Sequence, residues 1–299
     1  MPRIFRNGIE KAVRIYTAMP PAVNFSLRRR SAAFLLLRIW ARMASRRTAS
    51  AGKGRQELAT WNPWHGCRKF SPGCRHCYVY RMDAKFGRDP SHFALTASYL
   101  LPLETRKGGK RKGSYKLQPD GKRVYTCFTS DFFLEDADQY RHEAWKAIRI
   151  RSDLHFYIPT KRIHRFQDCL PPDWGDGYEN VTICCTAENQ ATADKRLPLF
   201  RSLPIRHREI IVEPILEHVD IRAHLSGIEH VIVGGESGDD ARSCDFQWIL
   251  SLHRQCKAAH VPFWFKQTGA RFINERKILV NVARMHQQGL ADRYRLNVA

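Results

Sequence analysis

From Val124 onward the chain repeats one pattern, and that pattern constrains the fold more than any other feature. Short apolar runs, VYTCF (124–128), LHFYI (154–158), VTICCT (181–186), EIIVE (209–213), HVIVGG (230–235) and PFWFK (262–266), begin 21 to 32 residues apart. This interval is the length of one strand–loop–helix–loop unit. Continuous rather than alternating apolar runs suit parallel strands covered on both faces. The intervening stretches 136–151 and 245–260 carry helical spacing. In the second, Phe246, Ile249, Leu250 and His253 share a face, and Asp245 stands where an N-cap belongs. With one more strand ahead of residue 67, the pattern predicts an α/β fold, a full or partial (β/α) barrel of TIM type. A doubly wound open sheet is the alternative.

Upstream, Thr60–Tyr78 reads TWNPWHGCRKFSPGCRHCY and holds Cys67, Cys74 and Cys77 in a C-x6-C-x2-C spacing among Gly66, Pro72 and Gly73. Three thiols within eleven residues, on a loop bent by Gly and Pro, are able to converge on one metal or cluster. Zinc would require a fourth ligand, for which His65 and His76 are the nearest candidates. An iron–sulfur cluster that binds something at its fourth iron would not. Trp61 and Trp64 are expected to pack and stiffen the loop.

In parallel barrels the active site forms at the C-terminal ends of the strands. Every run ends there in residues fit for chemistry: Ser130 and Asp131, Lys161 and Arg162, Glu188 and Asn189, Glu213, Gly234, Gly235 and Glu236, and Lys266 and Gln267. Their recurrence at six successive strand ends predicts one mouth above the cysteine loop. The string Gly234–Gly238 follows a strand, but lacks the Lys-Ser/Thr ending of a phosphate-binding loop.

WNPWHGC and SPGCRHCY, followed by TSDFFLED (129–136), TKR (160–162), AENQ (187–190), EPIL (213–216), GGESG (234–238) and WFKQTGA (264–270), resemble a phage and bacterial family, the phage gene-product 37/68 family (domain of unknown function 5131). The likeness spans roughly 58–273. That family is regarded as similar to the radical S-adenosylmethionine (radical SAM) enzymes. The resemblance implies a 4Fe–4S cluster on Cys67, Cys74 and Cys77, with S-adenosylmethionine cleaved to a 5′-deoxyadenosyl radical. On this reading Lys161 or Arg162 faces the cofactor carboxylate, and Glu188, Asn189 or Glu213 its ribose hydroxyls. Gly234 and Gly235 allow its adenine to approach. Two departures stand out: the usual spacing there is C-x3-C-x2-C, and Gly-Gly-Glu occurs near the second strand, whereas here it comes late. A zinc-stabilised nucleic-acid-binding module, and a degenerate barrel with a structural cluster acting through a protein partner, are the competing readings.

The net charge of +21 points to a polyanionic partner such as nucleic acid. Residues 1–55 carry thirteen Lys or Arg against the single acid Glu10, so +12 lies there and +9 in the remainder. Residues 1–57 are read as a basic extension outside the fold, with Met43 a competing start; 58–275 form the barrel domain, and 276–299 a tail. Residues 106–123, with eight basic residues and four glycines, are read as a surface loop, either solvated or in contact with phosphates. Nine cysteines, six of them scattered outside the cluster, exclude a secreted disulfide framework and fit a reducing cytoplasm. No apolar run is long enough for a membrane span. A radical enzyme of this kind also requires an electron donor.

Overall fold

The computed structural model describes residues 59–119, 123–275 and 277–297; the basic extension predicted over 1–57 lies outside them. Strands β1 (Ala59–Trp61) and β2 (Trp64–His65) lead into the cysteine loop, followed by α1 (Tyr78–Ala84), β3 (Ala94–Leu95) and β4 (Arg123–Thr126). Then come α2 (Asp138–Ile150), β5 (His155–Thr160), β6 (Val181–Thr186), α3 (Gln190–Ser202), β7 (His207–Val212) and β8 (His230–Gly234). The chain finishes with β9 (Cys244–Asp245), α4 (Phe246–Ala258), β10 (Phe263–Gln267), β11 (Arg271–Asn274), β12 (Lys277–Val280) and α5 (Arg284–Arg293).

Seven strands form one parallel sheet in the order β1-β4-β5-β6-β7-β8-β10. Spatial order follows chain order without reversal, which excludes the doubly wound alternative. Of the full or partial barrel expected, the sheet forms the partial one, a half-barrel: among the described residues the edge strands β1 and β10 do not pair. After β10 the chain builds a separate sheet instead, with β11 antiparallel to β12 and parallel to β9. Of residues 93–104, Ala94–Leu95 alone form a strand, β3. The rest descends beside α2, where the Tyr99 hydroxyl donates to the Tyr140 carbonyl (2.7 Å) and Pro102 sits in a 3-10 turn.

Alternate strand residues point to opposite sides. Phe156, Ile158, Ile183, Ile210, Val212, Val231 and Val233 join the buried core with Trp145, Ile148, Leu197, Phe200, Ile249 and Leu252 from the helices. The other side carries Tyr125, Tyr157, Cys184, Glu209 and His230. There the Tyr157 hydroxyl donates to Glu209 Oε1 (2.7 Å). Glu209 Oε2 is buried without a hydrogen bond, and His230 Nδ1 stands off at 3.8 Å. Strand β6 is buried throughout, as expected of a central parallel strand. Helix α4 is capped by Asp245, which accepts from the Gln247 amide (2.8 Å). Its buried stripe runs through Phe246, Ile249, Leu252, Gln255 and Cys256, which leaves Leu250 and His253 at the margin. Residues beyond 276 return to the sheet: Leu296 is buried, and the Phe265 amide donates to Asn297 Oδ1 (2.7 Å).

Candidate functional site at the three-cysteine loop

The loop joins β2 to α1 and is tied down along its length. Gly66 has φ +93°, and a Cβ there would stand 2.1 Å from the His92 carbonyl oxygen, so only glycine fits. The Cys67 amide donates to the Pro90 carbonyl (2.9 Å), and Tyr80 donates to the Cys67 carbonyl (2.6 Å). Pro72–Cys74 form a 3-10 turn, and Cys77 is the N-cap of α1. Trp61 and Trp64 are fully buried, with their indole N–H groups on the carbonyls of Ser98, Tyr99 and Asp131.

All nine cysteines are free, and Cys67, Cys74 and Cys77 are the three that are not fully buried. Burial pushes the Cys67 thiol up to about 12, with Asp131 adding to the shift and Arg162 opposing it. Burial also raises Cys77, against the Val79 and Tyr80 amides directed at its sulfur. Without a metal Cys67 and Cys77 therefore hold their protons at neutral pH. Among the described residues, no three His, Cys, Asp or Glu side chains are placed to hold a single metal ion. His65 pairs instead with the buried Asp83, Nε2 to Oδ2 at 2.7 Å.

The strand-end residues fall into three groups around this loop. Arg162, 3% exposed, reaches Cys67 Sγ (3.8 Å) and donates to the Arg68 carbonyl (3.0 Å). Asp131 lies 3.7 Å from it and accepts from Thr160 Oγ1 (2.8 Å) and the Lys161 amide (3.0 Å). Ser130 donates to the Gly66 carbonyl (2.5 Å).

Glu188, with no exposed surface, accepts from Ser71 Oγ (2.5 Å) and Arg196 (2.8 Å), with Lys161 Nζ at 3.9 Å. Asn189 is the N-cap of α3 within a capping box closed by Thr192, a structural role. On the far side Glu213 pairs with Lys266 (2.6 Å) and Gln267 (2.7 Å), and a Cβ on Gly234 would meet its Oε1 at 3.0 Å. Gly235 lies against Thr268, where a Cβ would stand 2.1 Å from the carbonyl oxygen. Glu236 pairs with Arg242 through both carboxylate oxygens (2.5 and 2.9 Å). Burial opposes its ionisation, yet Arg242 holds its carboxyl below the ordinary value.

The loop's own anchors were not foreseen from sequence. Gly73 packs on Glu188, Arg242 donates to the Pro72 carbonyl (3.0 Å), and the Arg81 guanidinium bonds the Ser237 carbonyl. Phe70, 40% exposed, stacks on His164 with ring centres 5.1 Å apart. The only sequence signal for these was their position inside or beside the cysteine loop and the GGESG stretch.

Fold and site together define a parallel α/β half-barrel with a three-cysteine loop over the C-terminal ends of its strands. The family model for a protein of unknown function, DUF5131, matches residues 56–292, and the chain belongs to that family. No curated protein and no solved structure matches it.

Proposed function

We propose that the chain is an iron–sulfur, S-adenosylmethionine-dependent radical enzyme that modifies or repairs a nucleic acid or a nucleic-acid-associated substrate. The observation that carries this reading is the set of three free, partly accessible thiols on one anchored loop above a parallel half-barrel. The donor set fits a cluster better than zinc. Three thiolates suffice for a cluster with one open iron, whereas a closed zinc site needs a fourth ligand, and His65, one of its two candidates, is engaged by Asp83 (2.7 Å). When bound, the cluster and S-adenosylmethionine would supply one-electron cleavage of a sulfonium and hydrogen abstraction from the substrate.

The protein's residues supply the rest. Arg162 places a buried positive charge beside Cys67, which offsets the charge of the thiolates. It is already committed to Asp131 and Arg68, so Lys161, whose side chain keeps 23% exposure, is the cation left to receive a carboxylate. Glu213, oriented by Lys266 and Gln267, is the acceptor for hydroxyls. Glu188 and Asn189 are occupied by Ser71, Arg196 and Thr192, and serve to seat the loop and α3.

The test is anaerobic reconstitution with iron and sulfide, followed by assay for methionine and 5′-deoxyadenosine under a strong reductant. The reading requires about four irons per chain and both products, each lost in Cys67→Ala, Cys74→Ala and Cys77→Ala. Bound zinc with no product would reject it.

A further inference from the structure

We propose that residues 104–118 form a docking hairpin for a nucleic-acid phosphate backbone, at the end of the half-barrel opposite the cysteine loop. The basic stretch is not a loose loop. Thr105 and Tyr115 form an antiparallel bridge, the Arg106 amide donates to Ser114 (2.9 Å), the Gly113 amide to Arg106 (2.9 Å) and the Lys116 amide to Glu104 (2.7 Å).

Its base is clamped by Arg151, which is 1% exposed. One nitrogen donates to the Pro102 carbonyl (2.5 Å) and another to the Leu117 carbonyl (2.8 Å), while the guanidinium lies 4.2 Å from the Tyr115 ring centre. Burying a guanidinium is costly unless its donors are used, and here they tie the chain entering the hairpin at Pro102 to its returning leg at Leu117. Asp153 balances its charge (2.7 and 2.8 Å). A loop that only needed to be solvated would not require this clamp.

The tip presents Lys107, Lys110, Arg111 and Lys112, all exposed and none with an acidic partner among the described residues. Among the described residues, Lys116, on the leg, is the hairpin cation paired with an acid, Glu104. Four exposed cations within six residues, with no apolar side chain among them, suit a sequence-independent phosphate track.

Chain direction gives the location. The hairpin leads into β4 at Arg123, its N-terminal end, and Arg151 follows the last turn of α2. The cysteine loop lies over the opposite, C-terminal ends of the strands. β5 has six residues, so the two ends are roughly 20 Å apart. A strand held at both with its bases stacked must therefore exceed about six nucleotides at 3.4 Å each. This inference rests on the nucleic-acid part of the proposed function and not on the cluster.

The test compares full-length reconstituted wild type with a variant carrying Lys107→Gln, Lys110→Gln, Arg111→Gln and Lys112→Gln, using labelled single-stranded DNA of about 5 and about 30 nucleotides. The hairpin predicts that the slope of log K against log salt for the long strand is shallower by about 3, at about 0.7 per lost cation. At physiological salt this amounts to roughly a hundredfold weaker binding. The short strand, unable to reach both ends of the sheet, should bind wild type more weakly than the long one; iron content and thermal midpoint should not change in the variant, and a variant with Arg at all four positions should bind like wild type. An unchanged slope, equal affinity of wild type for the short and long strands, or a preference for an acidic peptide over DNA would overturn the proposal. A reduced slope in a protein that takes up no iron would leave the hairpin standing and reject only the radical chemistry.

Discussion

Gly73→Ala is the substitution that most directly probes how the cysteine loop is seated. A Cβ at this buried position would stand 2.5 Å from both Cγ and Oε1 of Glu188. Cγ is not the free end of a side chain, and the carboxylate is held by Arg196 and Ser71, so the contact cannot relax cheaply. Overpacking of this kind costs about 1–3 kcal/mol, or several degrees in Tm at about 2–4 °C per kcal/mol for a domain of this size. Glu188→Ala removes the obstruction but leaves the buried Arg196 unpaired, at about 3–5 kcal/mol. If the alanine methyl clashes only with Glu188, the double variant should be no less stable than Glu188→Ala alone. The coupling would then be about 1–3 kcal/mol. Urea unfolding of the four proteins measures it. Losses that add within about 0.5 kcal/mol would refute the reasoning, because Gly73 would then be required for its backbone and not for the space beside Glu188.

Two further outcomes follow from the polar side of the sheet. His155 is pushed down to about 4 by burial, reinforced by His207 and Arg123, and bonds Thr182 Oγ1 at 2.7 Å. Its neutral form is favoured in the fold, so the stability it contributes is full above its ordinary value of 6.5 and is lost as pH falls towards 4. His155→Gln should flatten the decline in Tm between those limits, and an unchanged profile would assign the titration elsewhere. Tyr157→Phe strips Glu209 Oε1 of its bond from the Tyr157 hydroxyl, and should destabilise by about 1.5–3 kcal/mol in urea unfolding. A loss under about 0.5 kcal/mol, the scale of an ordinary surface change, would mean that the carboxylate finds another donor.

The strands were legible because β-branched and aromatic residues cluster in short, regularly spaced runs, and β6 coincides with VTICCT residue for residue. Closure was not legible. It depends on where the chain goes after Gln267, and β9 is a two-residue strand with no periodicity to read. Strand-end residues could be found from position alone, but their partners lie far away in sequence. Nothing local announces that Arg162 reaches Cys67, that Ser71 reaches Glu188, or that Arg242 reaches Pro72. Asn189 reads as a polar mouth residue until Thr192 shows it to be a cap. Arg151, one more cation in a basic sequence, turns out to be buried and spent on carbonyls. In each case a long-range contact decided the role of a residue whose type was plain from the start.

The central claim is that Cys67, Cys74 and Cys77 hold a cluster that meets S-adenosylmethionine directly. Electron paramagnetic resonance of the anaerobically reconstituted, reduced full-length protein, recorded with and without S-adenosylmethionine, tests it most directly. The account predicts a reduced-cluster signal that shifts when the cofactor is added and is absent from the Cys67/Cys74/Cys77→Ala variant. A signal that ignores the cofactor, or persists without the three cysteines, would contradict it.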